Sequence, residues 1–347
     1  MQDASQTVGN YEFLGVVDKP KAGVTYKVRN LSTGEFEALR SLPGASYGDP
    51  ESQERFLREI KIHARLSHPN IVAFHDAMEL DGHLVMTAEF VEGTTLAELC
   101  RQGQLSSDQA IQATCGVLAG LEEAHALGIV HRGITAEHVT VTPDGEVKLG
   151  GFGLAKPAAD VSLTRAGAVM GDARYMSPEQ VAGVNALDGR ADLYAVGVLL
   201  FYASTGRLPF DGANSFDVMV AQVSTPPPRP SSLNPGIAPE LERIILTALA
   251  KKPEARFSSA SEFRSALSAL KGAVRASSEP AAAVDAMRDA MRDALPHAIP
   301  DAIREPAGPQ LVAQAEHKAP KTKMFALGFL CVAIALAVLF FVAMRIK

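Results

Sequence analysis

An almost uninterrupted apolar run from Asp192 to Thr205 constrains the fold most strongly. A helix that is apolar on every side is stable only when other elements cover all of its faces. Gly206 and, further on, Pro209 are residues that typically end such a helix. We therefore expect a fully buried helix at the centre of a helical lobe.

The first third of the chain has the pattern of β-strands. Tyr11 to about Pro43 predicts three strands, with apolar alternation from Val24 to Val28, and two short strands flank Leu80–Gly82. Between these groups, helical spacing of apolar residues from Glu51 to Leu66 predicts a helix. The sequence thus predicts an α+β fold, in which a small strand-rich lobe precedes a larger helical lobe.

Further helices follow in the second lobe. Ser106 and Gln109 form a capping-box pattern at the start of one helix, on which we expect Cys115 to be a core residue. Leu241 to Ala248 has one apolar face, which predicts a second amphipathic helix. A final helix is expected to end near Leu270.

Composition narrows the functional classes. The formal net charge of −6, without a basic stripe that carries aromatic residues, argues against a nucleic-acid partner. Cys100, Cys115 and Cys331 have neither disulfide nor metal-ligand spacing, which favours a reducing compartment. The N-terminus lacks the charged and apolar regions of a secretory signal.

The segment 324–344 predicts a transmembrane helix. It contains 21 residues without a charge, which would span about 31 Å at about 1.5 Å per residue and so match a bilayer core. Only Arg345, Ile346 and Lys347 follow it, which is typical of a tail anchor. We expect a single-pass protein of the cell membrane, with residues 1–323 in the cytoplasm.

Residues 271–323 form an Ala- and Pro-rich juxtamembrane linker in this interpretation. Within it, a four-residue period places Met287, Met291 and Leu295 along one helical stripe. The stripe fits a docking or self-association helix, and it also fits a solvated spacer.

Residues 11–270 contain a series of short motifs in a fixed order. The motifs are Arg58–Ile60, Ser67–Val72, Glu89–Gly93, Ile129–Arg132, Gly151–Gly153, Arg174–Glu179, Asp192 with Gly197, and Arg256–Phe257. In this order they resemble the serine/threonine protein kinases of the eukaryotic type that bacteria contain. The resemblance implies a bilobed protein-kinase-like fold over residues 11–270.

The same resemblance locates the catalytic positions, and none of them has the usual residue. Gly133 stands for the Asp that accepts the substrate proton, and His138 and Gly151 stand for the Asn and Asp that hold magnesium. Thr135 replaces the lysine at the γ-phosphate, and Asp172 replaces an activation-segment threonine. We expect no intact catalytic residue and no bound Mg²⁺.

The resemblance also gives weak candidates for ATP binding. They are Gly23 of the glycine-rich loop, Ala38, Arg40 in place of the usual lysine, Glu59 as the glutamate of the helix called C in the family, and the gatekeeper Ala88. Because a planar guanidinium does not reproduce a compact ammonium, a salt bridge between Arg40 and Glu59 is favoured over phosphate binding.

Relocated groups offer another interpretation. Lys21 or Lys27 would have to reach phosphate, His138 would bind a softer metal ion, and Asp172 would act as the base. Each is also explained as a surface or loop residue.

Retained structural motifs with altered chemistry predict a pseudokinase. Its expected role is that of a membrane-anchored scaffold or allosteric regulator, with an active kinase or its substrate as partner. The alternatives are an atypical but active ATP-dependent serine/threonine kinase and a nucleotide sensor without turnover. Ser162 and Thr164 are candidates for phosphorylation by another kinase, with Arg132 receiving the phosphate.

Overall fold

The computed structural model describes residues 6–18, 23–42, 49–103, 105–157, 171–184 and 186–278. Lys21, Ser162, Thr164, the linker beyond residue 278 and the predicted span 324–344 lie outside these ranges. Within the described ranges, no helix combines the length and the apolar character needed to cross a bilayer.

An antiparallel sheet forms the first lobe. Its strands are β1 (Gln6–Val8), β2 (Tyr11–Asp18), β3 (Val24–Asn30), β4 (Phe36–Ser41), β5 (Phe74–Leu80) and β6 (His83–Glu89). They lie in the order β1-β2-β3-β4-β6-β5. The strands predicted from Tyr11 to Pro43 and around Leu80–Gly82 are confirmed, whereas β1 was not predicted.

One helix covers the sheet. Helix α1 spans Pro50–His63, and the carboxylate of Asp49 caps its first turn. Phe56 of α1 packs with Leu42 and Met86 in a small core between helix and sheet. This contact fixes the orientation of α1, whose later residues reach the cleft between the lobes.

The second lobe is mainly helical. Its helices are α2 (Leu96–Gln102), α3 (Ser107–Ala126), α4 (Pro178–Val181), α5 (Gly189–Thr205), α6 (Ser215–Ser224), α7 (Pro230–Leu233), α8 (Pro239–Ala248) and α9 (Ala260–Ser278). Its short strands are β7 (Thr94–Thr95), β8 (Ile129–Val130), β9 (Val139–Val141), β10 (Val147–Leu149) and β11 (Lys156–Pro157). Strands β10, β9 and β7 form one sheet, and β11 pairs with β8.

Helix α5 is the centre of this lobe, as the sequence predicted. Every residue from Ala191 to Phe201 is buried. Gly197 allows close approach of α8, because a Cβ at this position would lie 2.7 Å from the Cβ of Ala248. Gly206 ends the helix in the left-handed conformation, with φ of 71°.

Cys115 of α3 is half-buried and packs against the main core, and the predicted capping box of Ser106 and Gln109 is present. One expectation about the helices needs revision. Helix α9 does not end near Leu270 but continues to Ser278, so the first residues of the predicted linker 271–323 are helical.

Burial raises the pKa of the Cys100 thiol to about 11, which keeps this thiol unreactive.

We expect the buried ion pair of Arg256 and Glu179 to contribute strongly to stability. The Arg256 side chain is 0% exposed and donates to both Glu179 carboxylate oxygens at 2.6 and 2.7 Å. Glu179→Gln should lower the free energy of unfolding by about 3–5 kcal/mol, because it leaves a buried guanidinium without its counter-charge. Urea unfolding of the full-length chain measures the change.

The matched control is Glu122→Gln. Glu122 makes the same two-fold contact with Arg264, but Arg264 is 42% exposed. An exposed pair of this kind is worth about 0–1 kcal/mol. Equal losses in the two variants would contradict the prediction.

Candidate active site

The catalytic-loop motif is held by one buried carboxylate at the start of α5. Asp192 accepts hydrogen bonds from the backbone N–H of His131 at 2.9 Å and of Arg132 at 2.8 Å, and from Nε2 of His125 at 2.8 Å. Burial alone would raise the pKa of Asp192, but its hydrogen bond with His125 and the nearby charges hold the pKa below its ordinary value. Asp192 thereby fixes Arg132 in a left-handed conformation, with φ of 63°.

His131 links this loop to the Gly151–Gly153 motif. Its Nε2 donates to the carbonyl oxygen of Gly150 at 2.9 Å, and its Nδ1 accepts from the N–H of Gly133 at 3.2 Å. Burial lowers the pKa of His131 to about 4. The imidazole is therefore neutral at pH 7 and serves as a fixed bridge between the two motifs.

A column of rings continues from His131 into the first lobe. Phe152 lies 4.4 Å from His131 and 5.7 Å from His63 of α1, measured between ring centroids. His63 donates from Nε2 to the carbonyl oxygen of Val72 at 2.7 Å, and burial lowers its pKa. The column connects α1 to the loop that Asp192 holds.

Arg40 and Glu59 form the salt bridge that the sequence favoured. Arg40 lies on β4 and Glu59 on α1, and their side chains are 19% and 5% exposed. Burial raises the pKa of Glu59, and the charge of Arg40 partly offsets this effect. Gly153 leaves room for the pair, because a Cβ there would lie 3.1 Å from Oε2 of Glu59.

His138 and Gly151 fit each other closely. A Cβ at Gly151 would lie 2.4 Å from Cγ and 2.7 Å from Nδ1 of His138. The Nδ1 of His138 donates to the carbonyl oxygen of Gly133 at 2.7 Å, and burial lowers the pKa of the ring. The structure thus brings together the three predicted positions Gly133, His138 and Gly151, and the neutral imidazole takes the space of a side chain at position 151.

The two other predicted catalytic positions are Thr135 and Asp172. Thr135 is buried and precedes the 3-10 turn Ala136–His138. Asp172 accepts from Nε of Arg174 at 2.9 and 3.0 Å through its two carboxylate oxygens, and from the Arg174 N–H at 3.0 Å. Its carboxylate is committed to an ion pair that closes a local turn.

The candidate nucleotide residues lie on the first lobe. Ala38 of β4 and Ala88 of β6 are directly opposite in the sheet. Gly23 lies beside the ion pair, since a Cβ there would be 3.1 Å from Nε of Arg40. Lys27 does not point to a phosphate position, because its Nζ pairs with Glu92 at 3.2 Å.

The motifs and this geometry identify the protein's relatives. Residues 11–268 match the protein kinase domain. The chain belongs to the protein kinase family. The match confirms the family predicted from the motifs and the bilobed fold with its strand-rich first lobe.

Similar proteins are named as serine/threonine-protein kinases. A probable serine/threonine-protein kinase of Streptomyces coelicolor is 37% identical over 76% of this chain and 40% of its own length. Pkn3 of Myxococcus xanthus is 35% identical over 75% of this chain and 50% of its own length. This protein kinase chain therefore spans half or less of the length of these two relatives.

The kinase domain of PknI from Mycobacterium tuberculosis has a similar solved structure. It is 29% identical, with a TM-score of 0.60 over 77% of this chain and 99% of that domain.

The sequence did not reveal two features of the site. The first is the contact of His138 with Gly151, which joins positions that are separated along the chain. Both positions depart from the family motif, and these two departures together were a signal of the contact. The stacking of His63 on Phe152 had no sequence signal beyond the helical pattern of α1.

We predict that Gly151→Ala destabilises the protein through the His138 ring. The left-handed φ of 80° at Gly151 costs an alanine about 1–2 kcal/mol, and the collision with the ring should add about 1–3 kcal/mol. In the His138→Ala background, only the backbone cost should remain. Urea unfolding of the four variants of a double-mutant cycle measures this coupling.

Gly128→Ala serves as the control for backbone strain alone. Gly128 has φ of 69°, and a Cβ there would meet no atom within 4 Å. Additive effects of the changes at positions 138 and 151 would contradict the proposed contact.

Acid should destabilise the fold between about pH 6.5 and pH 4. Burial lowers the pKa of His63, His131 and His138 in the folded state, so the unfolded chain binds more protons in this window and stability falls as the pH falls. For His131 alone the loss at pH 5 is roughly 2 kcal/mol. Urea unfolding at pH 7.5 and pH 5 measures it.

His63→Phe keeps a ring against Phe152 and should reduce this pH dependence. The same change at the exposed His83 should leave the dependence as it is. A pH dependence that is identical in the wild type and in His63→Phe would show that His63 takes no part.

Proposed function

We propose that this protein is a membrane-anchored pseudokinase that acts as a scaffold or allosteric regulator in a serine/threonine kinase signalling system. The observation that carries the proposal is the His138 ring beside Gly151, with a side chain at position 151 excluded by a distance of 2.4 Å. These are the two positions that hold magnesium in the family pattern.

The residues at these positions do not fit Mg²⁺. The ion requires near-octahedral oxygen ligands at about 2.0–2.1 Å. Gly151 has no side chain, and the Nδ1–H of His138 is used by the carbonyl oxygen of Gly133. Phosphoryl transfer depends mainly on positioning and on charge neutralisation by the metal, so this arrangement supports a protein without kinase chemistry.

The proton acceptor is also absent from its usual place. Gly133 has no side chain, and the space above it faces Leu154, whose Cδ1 would lie 3.2 Å from a Cβ. The nearby alternative, Asp172, is paired with Arg174. Loss of a general base typically costs about 10²–10⁴ in rate.

Ion pairs that stabilise the fold support a role in protein contacts. The Arg40–Glu59 and Arg256–Glu179 pairs hold α1 and the end of the activation segment. The apolar segment 324–344 supports confinement to the membrane, where a tethered domain meets its partners at a raised effective concentration. An active kinase or its substrate is the partner that this family membership favours.

Two other functions have specific support. The side chains of Ala38 and Ala88 are small and directly opposed in the sheet, which favours a nucleotide sensor without turnover. The names of the relatives as serine/threonine-protein kinases favour an atypical active kinase.

Thermal unfolding of the full-length chain with ATP, with and without Mg²⁺, tests the proposal. We expect no metal-dependent rise in the midpoint and no transfer of labelled phosphate to a serine/threonine substrate. A ligand at 100 times its Kd would stabilise the folded state by about 2.7 kcal/mol, which is readily detected. The double variant His138→Asn, Gly151→Asp should acquire a metal-dependent shift.

The outcomes separate the functions. A shift with ATP alone would favour the sensor. A metal-dependent shift in the wild type, with phosphate transfer that Asp172→Ala abolishes, would contradict the pseudokinase and establish the atypical kinase.

A further inference from the structure

A pocket opens beside the hinge, the segment from Glu89 to Gly93 that begins with the last residue of β6. Its volume is about 450 Å³, which lies within the range of volumes of ligand-binding pockets. We call it the hinge-edge pocket. It is lined by Glu35, Phe36, His75, Glu89, Phe90 and Glu92.

The walls of the hinge-edge pocket already hold a cation of the chain itself. The Nζ of Lys27 lies 4.5 Å from the ring centroid of Phe36 and 4.2 Å from that of Phe90. It also lies 3.2 Å from Oε1 of Glu92. Aromatic faces attract ammonium and guanidinium groups, and a carboxylate adds to this attraction. Three lining residues thus form a cage for an organic cation.

Two glutamates lie side by side in the adjoining sheet, where Glu37 of β4 is directly opposite Glu89 of β6. Directly opposed like charges destabilise a sheet. Lys148 pairs with Glu89 at 2.8 Å, whereas Glu37 is the buried member of the two. Glu37 is only 4% exposed, and its Oε1 accepts from Nδ2 of Asn30 at 2.9 Å.

The second oxygen of Glu37 has no hydrogen-bond partner among the described residues. The Nδ1 of His75, a residue of the pocket wall, lies 3.8 Å from it, which is too long for a hydrogen bond. A buried carboxylate oxygen without a donor is unfavourable. Glu37 does not itself line the hinge-edge pocket, but a cation there, beside His75, would lower the electrostatic part of this cost.

We propose that the hinge-edge pocket binds an arginine or lysine side chain from a basic segment of a protein partner. Among the described residues, no three metal-ligating side chains converge, so an organic cation fits better than a metal ion. Phe36 is 47% exposed and the Glu92 side chain is 70% exposed. Such an open site cannot enclose a small molecule, whose surface is typically 70–90% buried, whereas it can receive a side chain of a larger partner.

Arginine fits the site better than lysine. Its planar guanidinium stacks on a ring and donates two parallel hydrogen bonds to a carboxylate. The hinge-edge pocket offers two phenylalanine rings and several glutamates for these contacts. This site is separate from the contact of His138 with Gly151, so the inference holds whether or not the protein transfers phosphate.

Binding of a fluorescent twelve-residue peptide of alternating arginine and serine to the full-length chain tests the proposal. Fluorescence anisotropy at 150 mM salt suppresses contacts between distant exposed charges. Lys27→Met should tighten binding, since it removes the built-in competitor from the cage. Phe36→Leu should weaken binding about threefold to thirtyfold, the range of a cation–π contact.

Matched variants control for net charge. Lys61→Met removes an exposed cation from α1, and Glu240→Gln removes an exposed carboxylate from α8. Glu35→Gln should weaken binding more than Glu240→Gln does. Phe90→Leu provides a second aromatic variant if Phe36→Leu unfolds.

Each outcome either supports the hinge-edge pocket as a binding site or overturns it. The site is supported if Lys27→Met binds the peptide more tightly than Lys61→Met does and if adding Phe36→Leu to Lys27→Met abolishes this gain. This holds even if the wild type binds too weakly to measure. Absence of binding in both the wild type and Lys27→Met overturns it. Equal effects of Lys27→Met and Lys61→Met, or of Glu35→Gln and Glu240→Gln, also overturn it, because binding would then follow net charge alone.

Discussion

The buried carboxylate of Asp192 is the interaction on which the cleft depends. It holds two consecutive backbone amides of the catalytic loop and one histidine ring. Because α5 is enclosed by the other helices, this carboxylate cannot move without disturbing the core of the second lobe. The position of His131 follows from it, and the ring column through Phe152 to α1 follows from His131.

Most of the residues that hold the fold are those of the family pattern, whereas the residues at the catalytic positions differ from it. The ion pair of Arg40 and Glu59 places α1 against the cleft, and the pair of Arg256 and Glu179 secures α4. In contrast, His138 donates to the carbonyl oxygen of Gly133 and occupies the space beside Gly151 with a ring whose pKa is lowered by burial.

The sequence predicted the parts of the fold that depend on local pattern. Each of these parts follows from residues that are close together in the chain: the apolar run of α5, the capping box at Ser106 and the alternation in β2 to β4. The order of the motifs predicted the family. The salt bridge of Arg40 with Glu59 was predicted from the motif positions. The fit of His138 against Gly151 was not predictable, because it depends on distances between backbone segments. The opposition of Glu37 and Glu89 likewise depends on the register of β4 and β6.

The fit of His138 against Gly151 also restricts the evolutionary path of the chain. An aspartate introduced first at position 151 would meet the ring at 2.4 Å, whereas a smaller residue introduced first at position 138 would leave an open space. A change at position 138 before position 151 would therefore build a magnesium site with less steric strain than the reverse order. The two positions are coupled by sterics, so the order in which they change sets the strain of the intermediate protein.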